Sequence, residues 1–263
     1  MRAPLALARR EVVRFFRQKS RVVGAVAPPL VMWAVVGSGL GGSFRPDGAS
    51  PATVGSSLAF FFPGTVVLVV LFAAIFSTIT VIEDRREGFL QGVLVSPVGP
   101  RAIVFGKVLG GTLLGTLQGG ALLALVPLLG LPVDGAALAA AAALLFVLAF
   151  ALTSLGFLIA WSLDSTQGFH AIMNLFLVPL WLLSGAFFPA SGAPAFLRGV
   201  MALNPLTYGV AALRRALGGG GASLPGWGLS AAVTVLFAAA LYAAALLVAT
   251  RRPALRGGSR LPA

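Results

Sequence analysis

The sequence predicts an all-α fold, six membrane-spanning helices preceded by an amphipathic helix, and three observations predict it. Six stretches are long and apolar enough to cross a bilayer. Of 263 residues, 58% are hydrophobic and only 10% charged. The basic residues collect at the ends of the apolar stretches. A soluble domain carries about 25% charged residues because its surface is wetted, and a surface facing lipid has no such need.

The first element is the arm 1–21, in which LALARREVVRFFRQKSR sets Arg10, Arg14, Arg17 and Arg21 at helical spacing on one side and Val12, Phe15 and Phe16 on another. A helix of this kind lies in the headgroup layer with its arginines on anionic lipid, or serves only as a topology signal. It is too polar for a signal peptide and the apolar run behind it too long, so the first span is expected to stay in the protein.

A span takes about 20 mostly apolar residues. Residues 22–40, 58–82, 108–131, 136–161, 169–188 and 229–249 meet this with no Asp, Glu, Lys or Arg in any of them. Positive charge is retained on the cytoplasmic side. Residues 1–21, 83–107 and 250–263 together hold 15 of the 19 Lys and Arg, and the alternate loops 41–57, 132–135 and 189–228 hold 4. Both termini are therefore expected in the cytoplasm, in a multi-pass protein of a bacterial-type inner or plasma membrane.

The connections 132–135 and 162–168 are short enough to make tight antiparallel hairpins. That leaves one transmembrane domain over 1–263 with three longer pieces where function is sought: the arm, the loop 83–107 and the segment 189–228. No internal repeat of the kind that builds many secondary transporters is visible.

The 83–107 loop holds three of the seven acidic residues and a predicted amphipathic helix over 84–96. Phe89, Leu90, Val93 and Leu94 recur on one side, Arg86, Glu87 and Gln91 lie on the other, and Ser96-Pro97 stops it. An apolar knob with a charged rim suits a partner's groove, although an ordinary interfacial loop helix has the same composition.

Glu83-Asp84-Arg85-Arg86-Glu87-Gly88-Phe89-Leu90-Gln91-Gly92-Val93-Leu94-Val95-Ser96-Pro97, followed by Gly106-Lys107, resembles the first cytoplasmic loop of type-2 ATP-binding-cassette (ABC) exporter permeases. The likeness is to the branch with antibiotic-resistance, daunorubicin-type and nodulation-factor exporters. Leu203-Asn204-Pro205-Leu206-Thr207-Tyr208, with Ala212-Leu213-Arg214 after it, is similar to the stretch before that family's last span.

The resemblance extends over nearly the whole chain. It implies a permease that pairs with a second permease copy, identical or sibling, and docks two separate ATPase subunits, which bind the ATP and Mg. The chain itself would carry no cofactor. Amphipathic drugs, lipids or glycans would move outward. Glu83, Asp84, Arg86, Glu87, Phe89, Leu90, Val93 and Leu94 would form the coupling helix. The 189–228 segment, with Asn204, Pro205, Tyr208 and Arg214, would dip back as short re-entrant extracellular helices.

The residues agree with such a dip. Asn204 can cap a helix, Pro205 suits its first position, and Leu206, Val210, Leu213 and Leu217 form one apolar stripe, with Arg214 and Arg215 off it. Gly218 to Gly221 reads as a flexible joint.

Enzyme chemistry finds no footing. Cysteine is absent, which excludes disulfides, thiolate metal sites and cysteine nucleophiles, and no cluster suggests catalysis or a metal. A phosphate-cradling loop needs Gly-x-x-x-x-Gly-Lys-[Ser/Thr], but Gly106-Lys107 is followed by Val108 and lacks the upstream glycine. Gly37-x-Gly39-x-x-Gly42 fits a dinucleotide fingerprint in letters only, being at a span end with no strand. The basic residues form no continuous stripe for nucleic acid.

The polar groups inside spans are Gln118 and, on one face of the fifth span, Gln167, His170 and Asn174, read as an interhelix hydrogen-bonding set or as path lining. Gly111, Gly115 and Gly119 predict close helix packing within the subunit. Phe60 to Phe62, Phe176, Trp181, Phe187 and Phe188 read as an outer aromatic belt. The alternative reading, an ion-coupled secondary transporter without an ATPase, needs a titratable group within a span. Glu11, Asp47, Glu83, Asp84, Glu87, Asp134 and Asp164 are expected in loops or at span ends, leaving only His170.

Overall fold

The computed structural model describes residues 2–39, 54–94, 98–131, 133–219 and 225–251, and its elements among these are helical. The side chains of residues 2, 54–56, 94 and 191 are not described. Leu94's side chain, Leu40, Gly42, Asp47, the expected stop at Ser96-Pro97, Gly220, Gly221 and the tail from 252 on therefore lie outside the described part of the chain.

Six helices are long and apolar enough to cross a membrane. They are α2 (Lys19–Gly39), α3 (Val54–Arg86), α5 (Pro100–Leu123), α6 (Gly135–Ser162), α7 (Thr166–Trp181) and α10 (Trp227–Arg251). The remainder are the arm α1 (Arg2–Arg17), the short α4 (Phe89–Leu94), and α8 (Ala195–Leu203) and α9 (Pro205–Ala216) between the fifth and sixth spans. Successive spans alternate in direction. One end of the bundle, the near end, carries α1, α4 and the α6–α7 turn, and the far end carries α8 and α9.

The spans start and stop where local chemistry permits. Asp134 caps α6, its Oδ1 accepting from Ala137 N at 2.7 Å, and Ser165 caps α7 by accepting from Gly168 N at 3.2 Å. Pro28, Pro29, Pro63 and Pro179 sit inside spans, which lipid-embedded helices tolerate when neighbours take up the freed carbonyls.

α3 is the centre of the bundle. Val66, Val67, Val69, Val70, Leu71 and Ala73 have no exposed surface, because α2, α5, α6 and α7 surround it. Small residues set how closely these helices approach. A Cβ added at Gly111 would meet Ser77 Oγ and Thr153 Cγ2 at 2.5 Å, and one at Gly119 would meet Leu145 Cδ2 at 2.9 Å. The glycine stripe of α5 is thus occupied within the subunit, against α3 and α6.

The arm departs from expectation. Arg17 stays exposed, but Arg10 and Arg14 turn to acids of α3, and α1 packs along the start of α5, where a Cβ at Gly106 or Gly110 would strike Pro4 O or Glu11 Cβ at 2.8 Å. The bare edge of α5 lets the arm in, and Leu7, Ala8 and Phe15 are buried there.

Two boundaries also differ from the sequence reading. α3 continues through Arg86, and α5 begins at Pro100, so the helix expected over 84–96 is only Phe89–Leu94. Gly88 breaks the chain between α3 and α4 at φ +78°, a conformation that costs glycine least.

Candidate functional site

The last turn of α3 carries the EDRRE motif and divides it between two neighbours. Glu83, Asp84 and Glu87 face the arm. Arg10 donates to Asp84 through both terminal nitrogens, at 2.9 and 3.0 Å, and Arg14 bridges Asp84 at 2.7 Å and Glu83 at 3.0 Å. Glu87 accepts from Arg14 at 3.4 Å, and Arg21 reaches Glu83 at 2.5 Å. On the other side Arg85 donates to Trp161 O at 2.8 Å and pairs with Asp164 at 2.8 Å. Arg86 donates to Asp164 O at 2.7 Å.

Beneath this lies a buried knot. Lys107 Nζ donates to Glu11 Oε1 at 2.7 Å and also to Asp84 Oδ2. Thr80 Oγ1 lies 2.8 Å from Glu11 Oε2. Exposure is 3% for Glu11, 0% for Asp84 and 5% for Lys107. A buried charge is tolerated only when paired and hydrogen-bonded, and here four cations (Arg10, Arg14, Arg21, Lys107) meet four carboxylates (Glu11, Glu83, Asp84, Glu87). The hydrogen bond to Asp84 pushes the Arg10 guanidinium above its ordinary pKa, so it stays charged.

α4 hangs on this assembly. Leu90 is buried in the main core, and Phe89 and Val93 pack against it. Arg10 stacks over the Phe89 ring at 3.7 Å, and Gln91 Nε2 donates to Arg85 O at 3.0 Å. The apolar side of α4 therefore faces its own chain. The surface left outward is Arg86, Glu87, Gly88 and Gly92, all exposed.

At the far end α7 stops at Trp181 and passes through a wide π-type turn, Leu182–Ala186. Gly185 takes φ +77° there, a value few other residues adopt. Trp181 Nε1 donates to Gly64 O of α3 at 2.7 Å. Asn204 caps α9 by accepting from Leu206 N at 3.0 Å and donates through Nδ2 to Leu180 O at 2.6 Å. Arg214 donates to Gly185 O at 3.1 Å and Phe60 O at 3.4 Å and stacks on the Phe60 ring at 4.2 Å.

Leu206, Val210, Leu213 and Leu217 are buried as the stripe predicts, but Arg214, expected off the stripe, is itself only 7% exposed. Burial without a carboxylate partner lowers its pKa to about 10. Tyr208 donates to Ala202 O at 2.9 Å. α9 ends on Gly218 and Gly219, whose N–H groups return to Arg215 O and Arg214 O at 3.2 and 2.9 Å, which makes these two glycines a helix stop.

The other expected polar groups are not brought together. Gln167 and Asn174 are exposed on α7, and His170 lies among the rings of Phe76 and Phe169. Gln118 is buried, and neither amide atom finds a partner among the described residues. Phe61, Trp181 and Phe187 line a narrow cleft with Met32, Trp33 and Thr65, too small for anything larger than a water, whereas Phe176 is exposed.

Sequence reasoning missed Glu11, Lys107 and Thr80 in the buried knot. The available signal was that Lys107 stands one residue before an apolar run on a face with Gly106 and Gly110, where the close approach of another helix would bury it.

A bundle of six spans, helical throughout its described elements, with an anchored arm and two short helices before the last span, defines a polytopic α-helical membrane protein. Residues 4–217 match the family model described as ABC-2 type transporter, so the chain belongs to that family and is a membrane permease of an ABC transporter. It is 26% identical over 211 residues to the transport permease ycf38 of Cyanophora paradoxa, covering 79% of this chain and 71% of that one. It is 27% identical over 172 residues to the inner membrane transport permease YhhJ of Escherichia coli, covering 63% of this chain and 43% of YhhJ.

Proposed function

We propose that this permease exports an amphipathic drug, lipid or glycan-type molecule from the cytoplasm or inner leaflet, driven by two ATPase subunits docked at its near end. It works as a dimer with a second permease copy, in an inner or plasma membrane, with both termini cytoplasmic. The ATPases bind ATP and Mg; this chain supplies path and lever.

One observation carries the reading. α4 is a short helix at the tip of the central span α3, and its apolar side is fixed to its own chain while Arg86, Glu87 and Gly92 face outward. A force applied there passes into α3 through the Gly88 joint and into the arm through Asp84 and Glu83. A rigid tie to two helices is what a lever needs if small movements in a partner are to become helix displacement.

The buried knot also supplies titratable groups, which an ion-coupled carrier would require. The buried carboxylates Glu11 and Asp84 are already held by Lys and Arg, and family membership favours ATP coupling.

The test is ATP-dependent movement of a fluorescent amphipathic dye and a labelled phospholipid in inside-out vesicles containing the permease with its cognate ATPase. Uptake should require both subunits and ATP. Uptake driven by a proton or sodium gradient without the ATPase would overturn the proposal in favour of the carrier.

A further inference from the structure

The break at the end of α7 is held open by side chains of α9. An unbroken α-helix would satisfy Leu180 O with the N–H of Ser184, four residues on, whereas Gly185 O has no such donor because residue 189 is proline. Here Leu180 O takes the amide of Asn204 at 2.6 Å, and Gly185 O takes the guanidinium of Arg214 at 3.1 Å. Thr207 Oγ1 approaches Leu183 O at 3.5 Å, too long to add much.

The broken end packs against α3 at the far side of the bundle. A Cβ on Gly64 would meet Ala186 Cβ at 2.7 Å, so α3 touches the turn directly there, and Trp181 fixes the contact through Gly64 O. Beside it lies the aromatic cleft with Thr65, Trp181 and Phe187 in its wall.

Arg214 adds a cost that geometry alone does not explain. It is a buried cation with no carboxylate partner among the described residues, and its Nε is unbonded. Such a group is expensive and persists where it fixes one conformation against another.

We infer that Asn204 and Arg214 are positioning residues forming a latch: α9 holds the outer end of α7 in its broken, closed form, and release of the two bonds lets Leu180 O return to the Ser184 N–H and the far end open. The inference rests on the export reading for its purpose, though not for its geometry.

The chain contains no cysteine, so single cysteines report accessibility without background. Thr65→Cys reports the closed cleft, where Thr65 is 2% exposed, and Ala149→Cys reports the mid-bundle core. A membrane-impermeant maleimide is applied from the far side to the complete complex in membranes. With the latch intact, Thr65→Cys should label slowly. Arg214→Met should speed labelling about tenfold, the ratio that loss of one charge-assisted hydrogen bond gives, and Asn204→Ala about fivefold for its neutral one, and Ala149→Cys should not change. Arg214→Lys, which keeps a donor and should give a smaller rise, serves if Arg214→Met fails to insert.

Unchanged labelling in Asn204→Ala and in an inserted Arg214 variant overturns the latch, as does equal acceleration at Ala149→Cys. Dye export measured on the same membranes separates the two readings. Unchanged labelling in an exporting complex removes the latch alone; accelerated labelling in a complex without ATP-dependent export keeps the latch and removes the export reading.

Discussion

Glu11 of the arm accepts a hydrogen bond from Lys107, 96 positions later, at 2.7 Å, with both side chains buried. The same ammonium touches Asp84, so α1, α3 and α5 meet at one point. The arm is thereby part of the bundle, and what moves the end of α3 moves the arm.

Removing one member of that knot takes a partner from charged groups that stay buried. Lys107→Met should lower stability by about 3–5 kcal/mol and Thr80→Val by about 1 kcal/mol. Both can be read as loss of melting temperature in detergent. The double variant Lys107→Glu with Glu11→Lys should recover part of the loss. A Lys107→Met protein that melts like the native one would show that the knot does not hold the arm to the bundle.

The six spans were legible because a bilayer demands long apolar runs whatever the sequence around them. The amphipathic arm was legible too, since periodicity shows which residues share a face. What periodicity does not show is the partner of that face. Arg10, Arg14 and Arg21 looked like lipid contacts because lipid is the default neighbour of a basic helix, and the acids that hold them lie some 70 positions away. Lys107 looked like a loop residue because hydropathy ends a span at the first charge, whereas the helix continues while that charge is paired. Arg214 was expected off the stripe and its burial was not legible, because one of the carbonyls it binds, Gly185 O, lies in the turn where α7 breaks, a turn that no residue pattern announced.

The two sides of α4 should separate by mutation. Leu90 is 1% exposed, so Leu90→Ala should cost about 2–5 kcal/mol of stability, and Phe89→Asp should unseat α4 by removing the Arg10 stack. Glu87→Ala, losing an exposed pair, should cost under about 1 kcal/mol yet lower ATP-driven transport. Melting and transport measured on the same variants decide this, and a Leu90→Ala protein of native stability would contradict the inward seating of α4.

Purified alone, the chain should not hydrolyse ATP, because no glycine-lysine loop is present to hold phosphates. ATPase activity in a preparation shown free of any ATPase subunit would contradict this.

Topology tags should report the cytoplasm at both termini and the exterior when inserted beside Asp134, the cap of α6. A cytoplasmic signal at Asp134 would invert the bundle and place α4 on the wrong side for an ATPase.

The role of α4 is measured most directly by a cross-link at Gly92, whose added Cβ would meet nothing within 4 Å and which stands on the outward side of α4. In an otherwise cysteine-free chain, Gly92→Cys in native membranes should cross-link to the ATPase subunit, more strongly when ATP is bound, while Gly135→Cys at the far end should not. Absence of the Gly92 cross-link in a transporting complex, or an equal one at Gly135, would contradict α4 as the point where the ATPase drives the permease.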